Sequence, residues 1–205
     1  MKGAIQMSNL ENYMKQQAIF CEQNDSISKN LYSEYGVKRG LRDEKGQGVL
    51  TGLTNISDIK AFEYHDGVKS PCDGELSYRG YNIKDLVTGS KGKRFVFEEG
   101  AYLLLFGELP TDTQLMEFQG RLSDCMELPT NFTRDVIMKA PTSDIMGSMT
   151  RSILTLGSYD KEKESLEIPN VLRQSMQLIA VFPMLAVYAY HAYCHYEKNE
   201  SMYIH

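Results

Sequence analysis

The sequence has no excess of positive charge. Lysine and arginine number 22 against 27 aspartate and glutamate residues, which gives a formal net charge of −5. A protein that binds nucleic acid needs cations to neutralise a row of phosphates, and this composition does not supply them. Nucleic acid is therefore not expected as the main partner.

Cysteine is sparse and scattered. The four cysteines are Cys21, Cys72, Cys125 and Cys194, and no two of them form a Cys-x-x-Cys pair. The amino-terminal residues also lack the apolar run of a signal peptide. Reduced thiols are therefore expected, and the predicted location is cytoplasmic.

The chain also lacks an uninterrupted apolar run as long as a membrane-spanning helix. Residues 174–190 carry no charge, but they fall short of the roughly 20 residues that such a helix needs. Pro183 interrupts the stretch as well. We therefore predict a buried helix here and no membrane as a partner.

What is present is the composition of a globular protein, with 42% hydrophobic and 24% charged residues. Glycine recurs between residues 36 and 80, where it breaks helices and permits tight turns. Charged residues, Asp66–Gly67 and Pro71 give residues 63–74 the composition of turns. Short runs between these breaks suit strands, at 49–51, 55–59 and 75–78. The prediction is a small sheet of short strands near residues 49–78.

After residue 80 the chain has the pattern of helices. Thr111 has Gln114 three residues later, the spacing of a capping box, and Ser143 or Asp144 is suited to cap a later helix. Methionines at 138, 146 and 149 are interpreted as core residues. The predicted helices cover residues 97–106, 111–127, 130–139, 144–159 and 169–197.

The predicted fold class is therefore mainly α, with one small β element. The last helix is apolar nearly all round, so it needs neighbours on several sides. We expect further polypeptide or a second subunit to cover it. The predicted divisions are a helical arm at 1–35, a glycine-rich segment with short strands at 36–83 and a helical part at 84–205.

One candidate metal site was weighed. His191 and His195 lie four residues apart on the last predicted helix, beside Cys194, and this spacing can hold zinc. A zinc site needs four matched ligands, and no glutamate follows His191 and no distant ligand is evident. A partly hydrated histidine pair at a helix end is favoured, so no metal site is predicted.

Two charged groups were also considered. A basic cluster that could meet a phosphate precedes the sheet, at Lys38, Arg39, Arg42 and Lys45. Asp43 and Glu44 lie within it, which favours a solvated turn. The acidic residues Asp58, Glu63 and Asp66 are interpreted as surface residues, since no pattern places two of them together.

Residue chemistry alone predicts no active site. The glycines match neither the G-x-x-x-x-G-K-[ST] phosphate loop nor a G-x-G-x-x-G turn after a strand. The residues predict a soluble, mainly α, cytosolic protein that takes part in an assembly.

Four blocks of sequence resemble the citrate synthase family in its bacterial form. The block at 74–83 (GELSYRGYNI), followed by that at 97–110 (FEEGAYLLLFGELP), is a specific combination. The resemblance extends over roughly residues 36–205. The other blocks are 37–42 with 48–57, and the helical pair around 146–159 and 171–196.

The resemblance implies a mainly α enzyme with a large and a small domain that works as a homodimer. Helices near 144–159 and 169–197 would lie at the subunit interface. The family condenses acetyl-coenzyme A with oxaloacetate to give citrate and coenzyme A in the tricarboxylic acid cycle. An aspartate and two histidines transfer protons, and domain closure makes this general acid–base chemistry productive.

The resemblance also implies that the catalytic residues are missing. The family carries its catalytic histidines, its aspartate and its substrate-binding arginines in boxes that follow the long helix. The histidines of this chain match none of those boxes; they are His65, His191, His195 and His205. We therefore predict an inactive amino-terminal fragment, with no catalytic, cofactor-binding or metal residue. No tightly bound cofactor is expected, and acetyl-coenzyme A would be the co-substrate of the parent enzyme.

Two alternatives stay open at the level of sequence. The second hypothesis is that the parent is a 2-methylcitrate synthase that uses propionyl-coenzyme A, because acyl selectivity would lie outside these residues. The chain could also be a non-catalytic helical dimerisation module.

Overall fold

The structure is a computed structural model that describes residues 13–14, 17–19, 27–38, 40–43, 45–49, 53–89 and 96–202. The chain divides into two compact units, residues 1–54 and 55–205. Expectations for Cys21, Arg39, Glu44, His205 and for residues 50–51 of the predicted 49–51 strand lie outside the described residues. The three-part division at 35 and 83 stays a prediction.

The described residues of the first unit include a short helix and a tight turn. Helix α1 spans Lys29–Glu34, and residues 13–14 and 17–19 are helical too. Gly36 follows α1 with a φ of 62°, a left-handed conformation that glycine adopts without steric cost. Further along, an antiparallel bridge between Arg42 and Gly48 closes the turn.

The second unit begins with a three-stranded antiparallel sheet. Its strands are β1 (Ser57–His65), β2 (Val68–Tyr78) and β3 (Tyr81–Asn82), in the order β1-β2-β3. The register pairs Ser57 with Tyr78 and His65 with Val68, and it shifts at an irregularity between Lys60 and Phe62. The expected small sheet is confirmed.

Two details of the predicted sheet were wrong. Residues 63–74 are not a turn, because β1 continues to His65 and β2 resumes at Val68. The turn consists of Asp66 and Gly67, both with positive φ. Antiparallel pairing over strands of nine and eleven residues outweighs the turn composition. Pro71 is accommodated because it lies beside the irregularity, where the ladder is already interrupted.

Helices follow the sheet as expected. They are α2 (Ile83–Gly89), α3 (Val96–Phe106), α4 (Asp112–Asp124), α5 (Ile145–Gly157) and α6 (Ile168–Lys198). Thr111 caps α4 through the predicted capping box: its Oγ1 accepts from the Gln114 amide at 3.3 Å, and the Gln114 side chain accepts from the Thr111 amide at 2.9 Å. Helix α4 ends three residues earlier than predicted, and Met126 is exposed.

A π-helical segment, Thr133–Ile137, replaces the short helix predicted at 130–139. Asp144 is the cap of α5, since its Oδ1 accepts from the Gly147 amide at 2.9 Å. An apolar face of α5 packs against the core, and its members are Ile145, Met149, Ile153 and Leu156. Met138 packs there too, but the expectation of a buried Met146 was wrong, because 74% of this residue is exposed.

Helix α6 joins two apolar clusters. On one side Val181 and Leu185 pack with Phe132 and Ile137 of the π-helical region. On the other side Ala180 packs with α3 and α4, where Phe118 makes an edge contact with Tyr102, 5.5 Å between ring centroids. The long helix is thus the spine of the second unit.

Helix α6 is longer than the uncharged stretch suggested. Its 31 residues, Ile168–Lys198, are long and apolar enough to cross a membrane by length and composition alone, a test that core helices of soluble proteins also pass. Only 17% of its most apolar window is buried within the described structure. The expectation that the helix needs further cover therefore agrees with its exposed surface.

Candidate functional site

The histidine pair near the end of α6 is tied to the helix terminus. His195 Nδ1 lies 2.8 Å from the carbonyl oxygen of Glu200, and Cys194 is buried. Asn199 ends the helix in the left-handed conformation, and the amides of Asn199 and Glu200 both donate to the Cys194 carbonyl. Within the described ranges no three histidine, cysteine or acidic residues are grouped as metal ligands.

Cys194 takes part in a local contact with a tyrosine. A hydrogen bond with the Cys194 side chain raises the pKa of Tyr190, one helical turn earlier. Tyr190 itself is half exposed and lines none of the three cavities described for this part of the chain. The contact therefore indicates packing near the helix end.

The basic cluster forms a hydrogen-bonded turn, as the favoured interpretation expected. Arg42 Nη1 donates to the carbonyl oxygen of Gly46 at 2.8 Å. The Asp43 carboxylate accepts from the backbone amides of Lys45 and Gln47, at 2.9 and 2.8 Å. The nearby cavity of about 790 Å³ is lined by α1 and by residues up to Asp43, including Lys38 and Arg42.

The three acidic residues considered earlier are spread along the first hairpin. Asp58 and Glu63 are five positions apart on β1, which is about 17 Å at 3.4 Å per residue. Glu63 pairs instead with His65, at 3.0 Å, and both side chains are substantially exposed. The surface interpretation agrees with this placement.

A polar network that the sequence did not reveal lies beside the start of α6. Arg173 Nη2 donates to both oxygens of Asp160, each at 2.9 Å, and Gln174 donates to the second of them. Hydrogen bonds from Gln174 and Arg173 and from the Glu162 amide lower the pKa of Asp160. Asp160 and Arg173 are thirteen residues apart in the sequence, so no local pattern indicates their pairing.

The same network borders a cavity of about 390 Å³. Its polar lining includes Lys163, Arg173 and Gln177, and Cys125 contributes a thiol. Arg173 already donates to Asp160, Asn170 and Gln177. Because these groups bind one another, the arrangement holds the 160–167 connection onto α6.

Two further arginines donate to the ends of helical segments. Arg79 Nη2 donates to the carbonyl oxygen of Leu104 in the last turn of α3, at 3.0 Å. Arg151 Nη2 donates to the carbonyl oxygen of Ala140, at 3.0 Å, just after the π-helical segment. The Nε atom of each guanidinium is buried without a partner among the described groups.

Comparison with known proteins agrees with this architecture. A family profile described as "Citrate synthase, C-terminal domain" matches residues 41–204. The citrate synthase of Saccharolobus solfataricus is 30% identical over 154 residues, which is 75% of this chain and 35% of that protein. The 2-methylcitrate synthase of Shewanella oneidensis is 34% identical over 116 residues, or 56% of this chain and 28% of that protein.

Solved structures show the same fold. The crystal structure of citrate synthase from Pyrobaculum aerophilum aligns with a TM-score of 0.58 and 25% identity, over 76% of this chain and 39% of that one. Citrate synthase from Thermoplasma acidophilum, solved with carboxymethyl coenzyme A and oxaloacetate, aligns with a TM-score of 0.59 and 17% identity over 36% of its length.

The match covers most of this chain but only part of its relatives. The chain spans about a third of the length of the curated relatives and solved structures that it matches. Its placement in the amino-terminal half of the family stays a prediction. The profile match over residues 41–204, together with the shared helical fold, shows that the chain belongs to the citrate synthase family and corresponds to part of the length of its members.

Proposed function

We propose that these residues form the helical scaffold of a citrate synthase, an acyltransferase that condenses acetyl-coenzyme A with oxaloacetate to give citrate and coenzyme A. The observation that carries the proposal is the family match over residues 41–204. The agreement of the α-helical fold with solved citrate synthases supports it.

We further propose that this chain alone is inactive. Perturbed pKa values cluster at catalytic sites in most enzymes. Among the described residues, a clear shift of pKa occurs in the exposed Arg134–Asp135 pair, in Asp160 and in Tyr190. Each shift follows from a local hydrogen bond, and the carboxylate of Asp160, which lines the cavity of about 390 Å³, is already bound by Arg173 and Gln174.

The proposal of a longer parent is tested first on the coding sequence and then on the protein expressed from it. The coding sequence that follows His205 in the genome is predicted to continue in frame and to encode the histidine-rich boxes of the family. The protein expressed from the extended frame is expected to form citrate and release coenzyme A. An extended protein that folds and turns over neither acetyl- nor propionyl-coenzyme A would contradict the proposal.

A second acyl donor is the specific alternative. The identity of 34% to a 2-methylcitrate synthase supports propionyl-coenzyme A as an alternative substrate. The kcat/KM of the extended protein with acetyl- and propionyl-coenzyme A distinguishes the two, because specificity is a ratio of these values. We propose acetyl-coenzyme A as co-substrate and no tightly bound cofactor. Dialysis is thus expected to leave activity unchanged.

We propose that the protein is a homodimer built on α5 and α6. On α5, Met146, Thr150 and Leu154 follow one another at intervals of one turn, and Met146 and Leu154 are 74% and 73% exposed. On α6, Phe182 and Val187 are also exposed. In an antiparallel pair of α5 helices crossing at Thr150, Met146 of each copy would meet Leu154 of the other.

Sedimentation velocity of Leu154→Lys tests this interface. A charge on the exposed face of α5 is expected to raise the dissociation constant of the dimer at least tenfold, because an unpaired charge at an interface is costly to desolvate. Leu166→Lys is the control, since Leu166 is 87% exposed in the connection before α6. If Leu154→Lys and wild type sediment alike as dimers, the interface lies elsewhere.

The remaining alternative is a helical dimerisation module without chemistry, located like the parent in the cytoplasm. It predicts a stable soluble dimer from these 205 residues. Light scattering that shows monomer or aggregate would exclude it. Recovery in the soluble fraction after cell lysis and high-speed centrifugation tests the cytoplasmic location, whereas recovery with membranes would assign α6 to a bilayer.

A further inference from the structure

The turn between β2 and β3 carries an arginine where the backbone favours another residue. Tyr78 pairs with Tyr81, which leaves Arg79 and Gly80 as a two-residue loop. Their φ angles are 49° and 85°. Positive φ at both positions is the type I′ geometry, for which Asn-Gly is preferred, because larger side chains strain the left-handed conformation. By turn chemistry alone, asparagine would be more stable at position 79.

The guanidinium of Arg79 adds a second unfavourable feature. Its Nε is buried and finds no partner among the described atoms. A buried donor without an acceptor is destabilising relative to one in water. Both the backbone and this atom therefore favour replacement of Arg79.

A contact with α3 opposes these two effects. Arg79 Nη2 donates to the carbonyl oxygen of Leu104, one of the last carbonyls of α3 that lack a helical N–H partner. Gly107 ends the helix with a φ of 87°, and its amide donates a hydrogen bond to the neighbouring carbonyl oxygen of Leu103 at 2.9 Å. A cation at this end also interacts favourably with the helix dipole.

The backbone of Arg79 makes a third connection. Its N–H donates to the carbonyl oxygen of Ile56, immediately before β1, at 2.8 Å. One residue thus joins the start of β1, the β2–β3 turn and the end of α3. These segments include the sequence blocks 74–83 and 97–110.

We propose that Arg79 is a latch that fixes the three-stranded sheet onto the carboxyl-terminal end of α3. The hydrogen bond from the Arg79 guanidinium to the Leu104 carbonyl explains why arginine occupies this position, although its backbone conformation disfavours arginine. The latch does not depend on which reaction the protein catalyses.

Hydrogen exchange of the full-length protein carrying Arg79→Asn tests the latch. Asparagine suits the turn better, yet the amides of β1, β2 and the last turn of α3 are expected to exchange about fivefold to tenfold faster, because local opening governs exchange. Asp66→Asn is the matched control: Asp66 and Gly67 form the other two-residue turn of the sheet, with φ of 51° and 80°. Its exchange is expected to stay within about twofold of wild type.

The outcomes separate the latch from a simple turn. Unchanged or slower exchange in Arg79→Asn would overturn the proposal, as would acceleration confined to the turn amides with the end of α3 unaffected. Arg79→Lys keeps the charge and loses the planar guanidinium, so its exchange is expected between wild type and Arg79→Asn. If Arg79→Asn fails to fold while Asp66→Asn folds, the latch is supported, since asparagine is favoured in this turn.

Discussion

At the scale of single residues, side chains hold segments together through contacts with groups that are distant in the sequence. Asp160 accepts from Arg173 and Gln174, and its side chain is only 19% exposed. Arg151 and Arg79 bind carbonyls at the ends of helical segments. None of these pairings has a local sequence signal, because the partners are separated by eleven to twenty-five residues.

Removal of the Asp160 charge tests the network at the start of α6. Asp160→Asn is expected to lower the urea midpoint of unfolding at pH 7. Because the folded-state pKa of Asp160 lies below its ordinary value, the stabilisation is present above the unfolded pKa of about 3.9 and is lost as the pH falls through the folded pKa. The difference between wild type and variant should therefore shrink in acid.

Asp135→Asn serves as the control for this measurement. Asp135 pairs with its neighbour Arg134, and both side chains are more than half exposed. Exposed ion pairs contribute little to stability. Equal midpoints for Asp160→Asn and wild type at pH 7 would show that the network does not stabilise the fold.

At the scale of elements, sequence patterns predicted structure reliably where a side chain bonds the backbone a few residues away, as helix caps do. The capping box predicted at Thr111 and Gln114 is present, and of the two candidate caps for α5, Ser143 and Asp144, the structure has Asp144. The strands were underestimated, because cross-strand pairing stabilises charged residues such as Glu63 in a strand despite their low propensity. The π-helical segment has no recognisable sequence pattern, since its extra residue per turn follows from packing.

Loss of the capping box tests the stability that it contributes to α4. Thr111→Ala removes the acceptor for the Gln114 amide and is expected to lower the free energy of unfolding by about 0.5–2 kcal/mol. Thr113→Ala, within the exposed first turn, is the control and should be neutral or slightly stabilising. Chemical denaturation of both variants gives the comparison.

At the scale of the whole molecule, α6 organises the second unit and remains incompletely covered. Its apolar residues join both core clusters, while only 17% of its most apolar window is buried within the described structure. The helical pattern predicted the element, and the family resemblance predicted the fold. The catalytic question could not be answered from this pattern, because hydrophobic periodicity predicts which residues pack and not which residues transfer protons.

A core substitution on α6 tests whether this helix is the spine. Leu185 is 1% exposed between α5 and the π-helical segment, and Leu185→Ala is expected to cost about 2–5 kcal/mol of unfolding free energy. Leu166→Ala, at an exposed position, should change it by less than about 0.5 kcal/mol. Similar values for the two variants would place the stabilising core elsewhere.

The most direct measurement of the central claim is citrate formation by the purified 205-residue chain. With acetyl-coenzyme A and oxaloacetate present, and release of coenzyme A followed continuously, the account predicts no rate above the protein-free reaction. Turnover that co-purifies with the folded chain would contradict it, because proton-transfer groups would then lie among these residues.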